Sequence, residues 1–581
     1  MLVYGDREHW EEPAQIRAEI ARVLTACAGL PPGLARHSLL VEAFIRTGEL
    51  AQGLIDAAFE SRGADDLDPA QLSGNRLQRS FGEALCNSWD EKISIPPDWE
   101  SLLPALRGPE IIRTKRPEGY AFYALYPESY VEAARRSGLG SDTMVIGIRS
   151  IGTSLAGVVA AALGAAPAVT VRPVGHPFQR ELRIAEALER HIVGTGARNY
   201  AIVDEGPGLS GSSFGCVADW LEARGIRPEH IHFFPSHGGD PGPEAQPRHR
   251  QRWSQSSRHV VDFDAVFLGR PGRLEGWIGE LVRSPVTLSD ISGGQWRRRI
   301  DPRLPADSAR ERRKFIARSS GGSWLVKFAG LGAEGRMKFE KAQCLAEAGF
   351  SPPPIGLCHG FIVQPWVEGT PLGLAHIERK RLLAQLGDYL GFRAARLPAS
   401  GAGASLGELF SMARYNLTEA LGETPATQIC AALGKAGDYA PYPVDIDGRL
   451  HGWEWLVMQD GSLLKTDALD HSATHDLVGF QDIAWDIAGA ATEYALTLDE
   501  TAQLGERVGS ITGRPVAPRL VAAMRICYPA FQLGLWSLAA ASAAEADRPA
   551  IETLCGRYGR YLEMLSNHGE LAPEETGART G

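Results

Sequence analysis

The chain has 581 residues, of which 44% are hydrophobic and 22% charged, and its formal net charge is −10. That length predicts two to four domains with large cores, and an acidic balance without aromatic–basic interleaving argues against a nucleic-acid partner. The eight cysteines form no CxxC pair, which argues against a zinc site or a disulfide framework and predicts a reducing, cytoplasmic setting. No signal peptide or apolar run of about 18 residues is found, so no membrane partner is expected.

Residues 1–95 are predicted to be mainly helical. Ile16, Ile20, Val23 and Leu24 keep helical spacing, as do Leu39, Leu40, Ala43 and Phe44. The region shows no site chemistry and is expected to cap the neighbouring domain.

Residues 96–265 alternate strands with helices. Strands are predicted at Met144–Ile148, Ala168–Arg172, Tyr200–Val203 and His230–Phe234. Helices are predicted at Thr153–Leu163, stopped by Gly164, and from about Phe214 to Arg224, stopped by Gly225. Strands separated by helices imply a parallel sheet with covered faces.

Within it, YAIVDEGPGLSGSS (Tyr200 to Ser213) joins a buried strand to a helix through an acidic pair, Asp204 and Glu205, and a loop of glycines and serines. Glycines bring backbone N–H groups close to a ligand, and a helix N-terminus favours an anion. The stretch is therefore expected to cradle a sugar phosphate, with the carboxylates meeting ribose hydroxyls or a metal. A second strand–turn–helix junction, GIRSIGTSL, runs from Gly147 to Leu155. Between the two lies VRPVGHPFQR, holding Arg172, His176 and Arg180. It is either a basic loop that closes over a polyphosphate or a surface loop with incidental charges.

These three stretches, in this order, resemble type I phosphoribosyltransferases over residues 105–240. The resemblance implies that Asp204 and Glu205 hold the ribose hydroxyls of phosphoribosyl diphosphate, directly or through Mg²⁺. Leu209, Ser210, Gly211, Ser212 and Ser213 would bind the 5′-phosphate. Ser150, Ile151, Gly152 and Thr153 would bind the pyrophosphate, and Arg172 or Arg180 would neutralise it as it leaves. The loop departs from the pattern: Gly206-Pro207-Gly208-Leu209 makes it longer by about one residue, and Pro207 removes an N–H donor.

Residues 266–295 are expected to be a linker after the Pro- and Arg-containing run DPGPEAQPRHRQRWSQSSR. From 296 to 569 the pattern changes. Arg313–Arg318 and Ser323–Phe328 alternate like a hairpin about Ser320, Gly321 and Gly322. Lys327 sits on the second strand. A helix follows over Arg336–Ala348, with Met337, Glu340, Cys344 and Glu347 expected on its inward face. This half resembles protein-kinase-like phosphotransferases of the aminoglycoside and choline kinase type.

By that resemblance Lys327 holds nucleotide phosphates with Glu340 as its helix partner, and FIVQPWVEGTPL, which contains Gln364, is the adenine hinge. GRLHGWEWLV takes the place of the catalytic loop, LLKTDALDH supplies Asp467 to the metal, and QDIAWDIAGA braces the loop. The loop is altered: Arg449 stands at the base position and Glu454 at the metal-binding position. A guanidinium accepts no proton, so Asp447 or Asp445 would have to substitute. The histidines His451, His471 and His475 could hold a metal with Asp467, Asp470 and Asp476, the spacing of His471 and His475 suiting one helix face, but are expected to serve local hydrogen bonds. Residues 570–581 are expected to be a disordered tail.

The expected fold class is α/β: a phosphoribosyltransferase-like parallel sheet with a helical cap, followed by a two-lobed α+β kinase-like half. The expected function is bifunctional: Mg²⁺-dependent phosphoribosyl transfer from or to phosphoribosyl diphosphate (PRPP), plus ATP-dependent phosphorylation of a small molecule. The alternative is a non-catalytic sensor that binds both ligands. Partners are small molecules; the acceptors and the oligomeric state are not legible.

Overall fold

A computed structural model describes residues 1–5, 8–269, 272–308, 310–431, 433, 439–473 and 475–567; the expected tail, 570–581, lies outside them. The N-terminal half begins with β1 (Glu8–Glu11) and three helices, α1 (Pro13–Ala28), α2 (Leu34–Arg62) and α3 (Pro69–Trp89). The short α4 (Trp99–Ala105) leads into β2 (Ile112–Lys115), which pairs antiparallel with β1. Asp68 caps α3 by accepting from Gln71 N–H, and Pro69 opens it, a favoured first-turn arrangement.

Helices α5 (Glu118–Phe122) and α6 (Pro127–Arg136) precede the sheet. The sheet residues are β3 (Thr143–Ile148), then α7 (Gly152–Leu163), then β4 (Val169–Val171). A small hairpin of β5 (Val174–His176) and β6 (Gln179–Glu181) follows, then α8 (Glu186–Gly194), β7 (Asn199–Val203), α9 (Ser212–Glu222) and β8 (Ile231–Phe234). Helix α10 (Pro247–Gln255) and β9 (Ser257–Arg258) complete it. The order β4-β3-β7-β8-β9 is parallel throughout, as the strand–helix alternation implied. Every residue of β3 is buried, because α7, on which α3 packs, covers one face. Gly164 ends α7 in the left-handed conformation at φ +66°, where its N–H returns to the Ala160 and Ala161 carbonyls. A Cβ on Gly147 would lie 2.2 Å from the Gly152 carbonyl, and one on Gly152 would lie 2.6 Å from the Val203 carbonyl. Glycine at both positions lets the turn after β3 pass directly over β7.

Two expectations are corrected here. VRPVGHPFQR is not an irregular loop; most of it is the β5–β6 hairpin. Residues 266–295 are not a bare linker: they carry α11 (Leu274–Val282) and β10 (Thr287–Asp290), and β10 adds an edge strand to the next sheet. Their Gly, Pro and Arg content hid an amphipathic helix of only nine residues.

That sheet is antiparallel, in the order β10-β11-β12-β14-β13, built from β11 (Lys314–Ser319), β12 (Gly322–Phe328), β13 (Gly356–Cys358) and β14 (Phe361–Pro365). The hairpin expected around Ser320 is the β11–β12 pair, and α12 (Gly332–Glu347) crosses behind it. This small lobe does not stand apart. Phe315, Phe328 and Phe361 share one core with Phe44 of α2 and with Tyr126, which lies just before α6. A second, larger helical core forms the other lobe from the segments Arg379–Arg396, Leu406–Leu421, Ala484–Glu493 and Pro518–Ser542. The first residues of the chain reach it: Val3 is buried there, and its carbonyl accepts from Leu477 N–H at 2.8 Å. No described helix is long and apolar enough to cross a membrane.

Candidate functional site

Between the small lobe and the helical lobe lies a cleft of about 380 Å³, lined by Lys327, Gln364, Arg449, Glu454, Asp467 and Asp476 among others. Lys327 points inward from β12. Its Nζ lies 2.7 Å from Asp467 Oδ1 and 2.9 Å from Asp470 Oδ2. Burial opposes the ammonium charge, but the two carboxylates outweigh it and hold the Lys327 pKa above its ordinary value. Burial likewise opposes the Asp467 charge, and Lys327 overcomes it, lowering that carboxyl to about 2. Both groups therefore stay charged at neutral pH.

The helix partner expected for Lys327 is not the one found. Glu340 and Met337 are exposed on α12, and the inward face carries Glu334 and Lys338. Lys338 Nζ lies 3.2 Å from Glu334 and 2.8 Å from Asp470, so α12 reaches the cleft through a chain of charges. The helix starts at Gly332, and the face that turns inward carries Ala342 and Leu345 together with the ion-paired Glu334 and Lys338.

The loop Asp447–Glu454 is braced as QDIAWDIAGA implied. Asp486, buried at the start of its helix, accepts from the N–H groups of Asp447 at 2.7 Å and Gly448 at 2.9 Å. Burial, reinforced by the Asp447 charge, raises the Asp486 carboxyl to about 7. Asp447 itself does not face the cleft. It is 1% exposed, accepts from Tyr389 Oη and sits 3.4 Å from Lys465. Asp445 is also buried, bound by Lys341 at 2.5 Å and Arg393 at 3.1 Å. Neither lines the cleft, so neither can reach an acceptor hydroxyl there. Arg449 lines the cleft and pairs with Asp476 at 2.6 Å. Glu454 also lines it and holds Lys465 at 2.6 Å.

Arg393 organises the inner side of the loop. It is fully buried and donates to the Asp445 and Ala468 carbonyls at 3.0 Å and to the Ile446 carbonyl at 2.8 Å. Arg393→Ala would leave three buried carbonyls without their donor and take one cation from Asp445 and Asp447, so a loss of about 3–5 kcal/mol of stability is expected in chemical denaturation.

The second site lies at the carboxyl end of the parallel sheet. Asp204 and Glu205 follow β7, and Asp204 Oδ1 accepts from the Glu205 N–H at 2.8 Å. Tyr130 Oη donates to the Asp204 carbonyl at 2.8 Å, and the Gly119 N–H of α5 reaches the Glu205 carboxylate. Burial raises the Asp204 carboxyl to about 7. Burial, then the charges of Asp204 and Glu118, raises the Glu205 carboxyl to about 8. Two adjacent carboxyls without a salt-bridge partner among the described residues are poised for a cation.

Two strand–helix junctions lie at the same end of the sheet as the pair. Ser150, Ile151, Gly152 and Thr153 begin α7 beside β7, and Thr153 Oγ1 is buried without a hydrogen-bond partner. Gly211 caps α9 in the left-handed conformation, φ +64°, ahead of Ser212 and Ser213, while Leu209 stands exposed. The hairpin tip lies on this loop: the Pro177 carbonyl accepts from Ser210 Oγ at 3.2 Å and Ser212 Oγ at 2.8 Å. Arg180 is on that hairpin, its Nη1 on the Gly175 carbonyl at 3.3 Å. Arg172 is fixed below it. Its Nε donates to Asp56 Oδ1 at 2.9 Å and its Nη1 to the Arg149 carbonyl at 2.8 Å. Asp56 also takes Arg149 Nε at 2.8 Å. Sequence reasoning missed Asp56 and, although it singled out the stretch Glu118 to Tyr130, gave Gly119 and Tyr130 no role. The one available signal was Asp56, a lone carboxylate within the apolar run Leu54–Ala58.

The two sites are neighbours. Helix α5 meets Glu205 at Gly119, while at its other end the Phe122 carbonyl accepts from Arg312 at 2.5 Å. Arg312 and Tyr123, the residue after Phe122, line the cleft.

No protein-family model and no curated protein matches the chain. Among solved structures it is similar to the choline kinase LicA from Streptococcus pneumoniae, at 14% identity and a TM-score of 0.29, covering 43% of this chain and 90% of that one. It is also similar to a putative aminoglycoside phosphotransferase from Ralstonia eutropha, at 12% identity and a TM-score of 0.37, covering 52% and 98%. A third is the macrolide 2′-phosphotransferase MphH from Brachybacterium faecium, at 16% identity and a TM-score of 0.31, covering 49% and 98%. At such scores the side chains of the cleft weigh more than the likeness.

Proposed function

We propose that the C-terminal cleft binds ATP with Mg²⁺ and transfers its terminal phosphate to a small molecule. The carrying observation is the meeting of Lys327 with Asp467 and Asp470 at 2.7 and 2.9 Å inside a cleft between two lobes. A bound Mg²⁺ would neutralise phosphate charge. Asp467 and Glu454 would hold it, both being anionic oxygen donors that line the cleft. Lys327 would exchange a carboxylate for nucleotide phosphates. Gln364 lies on the edge of β14 where an adenine would rest. Arg449 takes no proton, so the acceptor hydroxyl would lose its proton to Asp476, the carboxylate that Arg449 holds in the cleft.

The N-terminal site supports a second activity on the same chain, phosphoribosyl transfer from or to phosphoribosyl diphosphate. Its support is the pair Asp204 and Glu205, without a salt-bridge partner among the described residues, at the end of a parallel strand, with the strand–helix junctions that hold Ser150–Thr153 and Leu209–Ser213 at the same end of the sheet. The carboxylates would hold a Mg²⁺–ribose unit and the two loops its phosphates, with Arg180 brought over the leaving pyrophosphate by its hairpin. Arg172, already bound to Asp56, would act on charge only at a distance. The Pro177 carbonyl must release Ser210 and Ser212 before they can meet a phosphate.

The test is turnover. ATP consumption that depends on an added metabolite, and pyrophosphate release from phosphoribosyl diphosphate, are the expected results from a metabolite screen on the full chain. Tight binding of both ligands without turnover would make the chain a sensor instead, a reading favoured only by the arginine at position 449.

A further inference from the structure

We propose that His37, Glu128 and His359 form a binding site for one divalent transition-metal ion, best matched by zinc, at the joint between the two halves. The three residues come from distant parts of the chain: the start of α2, the start of α6 and the β13–β14 turn. Glu128 Oε1 lies 2.7 Å from His37 Nε2 and 3.0 Å from His359 Nε2, and one ligand atom from each residue falls within a 4.8 Å set. Two imidazoles and a carboxylate are a donor set that suits zinc and its neighbours and not Mg²⁺ or Ca²⁺.

Three further observations point the same way. Glu128 Oε2 is buried and has no hydrogen-bond partner, an omission that an interior ion would explain, since a chelating carboxylate would supply the fourth donor. Both imidazoles are oriented from behind: Ser88 Oγ lies 2.9 Å from His37 Nδ1, and Ser38 Oγ lies 3.0 Å from His359 Nδ1. Such outer partners fix the ring and leave Nε2 for the ion. The side chains are only 1–5% exposed. They lie within a wall of Trp89, Tyr126, Phe267 and Trp277 that keeps water out.

Without an ion the two Nε2 atoms share Glu128 Oε1, and Oε2 is left without a partner in an apolar interior, which is costly. With an ion bound, each ring would present Nε2 to the metal and its Nδ1–H to the serine behind it, so metal–nitrogen bonds would replace the contacts to Oε1. The ion would tie α2 and α6 to the small lobe, a structural role separate from either phosphate site.

Zinc uptake by the full chain tests this, in an Asp467→Asn background that removes one of the cleft's two proposed metal ligands. After exposure to Zn²⁺ and gel filtration, elemental analysis is expected to find about one equivalent per chain, as for a closed structural site. A chelator should lower the melting temperature, and zinc should restore it. His37→Gln and His359→Gln should each remove the retained zinc. Ser38→Ala and Ser88→Ala, which keep the ligands, should weaken zinc binding about 10–100-fold. Should the histidine variants fail to fold, Co²⁺ added to the Asp467→Asn chain must give a visible spectrum with nitrogen ligands, lost to Zn²⁺. Less than a tenth of an equivalent of retained zinc, or a melting temperature that neither chelator nor zinc moves, would overturn the assignment in favour of a hydrogen-bonded His–Glu–His cluster.

Discussion

Asp467→Asn is expected to abolish Mg²⁺–ATP binding while leaving the fold intact. The carboxylate faces the cleft beside Lys327 and is the group best placed for a metal. Amide replacement keeps the volume but removes the charge that a hard cation requires. Lys327 retains Asp470 at 2.9 Å, so its ammonium is not stranded and stability should change by no more than about 1 kcal/mol. Turnover, where an acceptor is found, should fall at least about 100-fold, the usual cost of losing a pre-aligned electrostatic group. Calorimetric titration with ATP in the presence of Mg²⁺ reads the binding loss directly. Unchanged affinity would move the metal to Glu454 or out of the cleft altogether.

Asp204→Asn should have opposite effects on stability and on binding. In the folded chain burial raises Asp204 to about 7 and Glu205 to about 8, so the native state binds their protons more tightly than the unfolded chain does. The favourable contribution is complete below the unfolded values near 4 and is lost as pH rises through about 7 to 8. The ligand-free protein should therefore lose stability over this window, and Asp204→Asn, neutral throughout, should flatten the loss and raise stability at pH 8 by roughly 1–2 kcal/mol. A Mg²⁺-bound ribose needs both carboxylates ionised. Affinity for Mg²⁺–phosphoribosyl diphosphate should thus climb from pH 6 to pH 8.5 in the wild type and vanish in the variant. Denaturation at several pH values, paired with titrations at the same values, gives both curves; a flat wild-type stability profile would show the pair to be ionised already.

How much of this was legible depended on how local the signal was. The strand–helix order from Met144 to Phe234, the stop at Gly164 and the β11–β12 hairpin follow from hydrophobic period and turn chemistry, and all are found. Lys327 and Asp467 stand 140 residues apart, yet both sit in ordered motifs, and the resemblance put them together. The inward face of α12 is hidden from such reasoning. Lys338 and Glu334 are buried as an ion-paired set, and charged residues in a core look like surface in a sequence. The place of Asp447 is hidden for the same reason: its polar context is interior, supplied by Tyr389, Arg393 and Lys465 from elsewhere. The hairpin contact of Pro177 with Ser210 and Ser212, and the meeting of His37 and His359 on Glu128, are long-range packing with no periodic trace.

Helix α5 adds a consequence that neither motif carries. It touches Glu205 at one end and Arg312 of the cleft at the other, so five residues bridge the two sites. The two sites are nonetheless built from separate ligands.

The most direct measurement is therefore a pair of calorimetric titrations, Mg²⁺–ATP and Mg²⁺–phosphoribosyl diphosphate, into the wild type, Asp467→Asn and Asp204→Asn. The expected result is that the wild type binds both, Asp467→Asn loses only ATP, and Asp204→Asn loses only phosphoribosyl diphosphate. A wild type that binds neither ligand, or a single substitution that removes both, would contradict the existence of two phosphate sites on this chain.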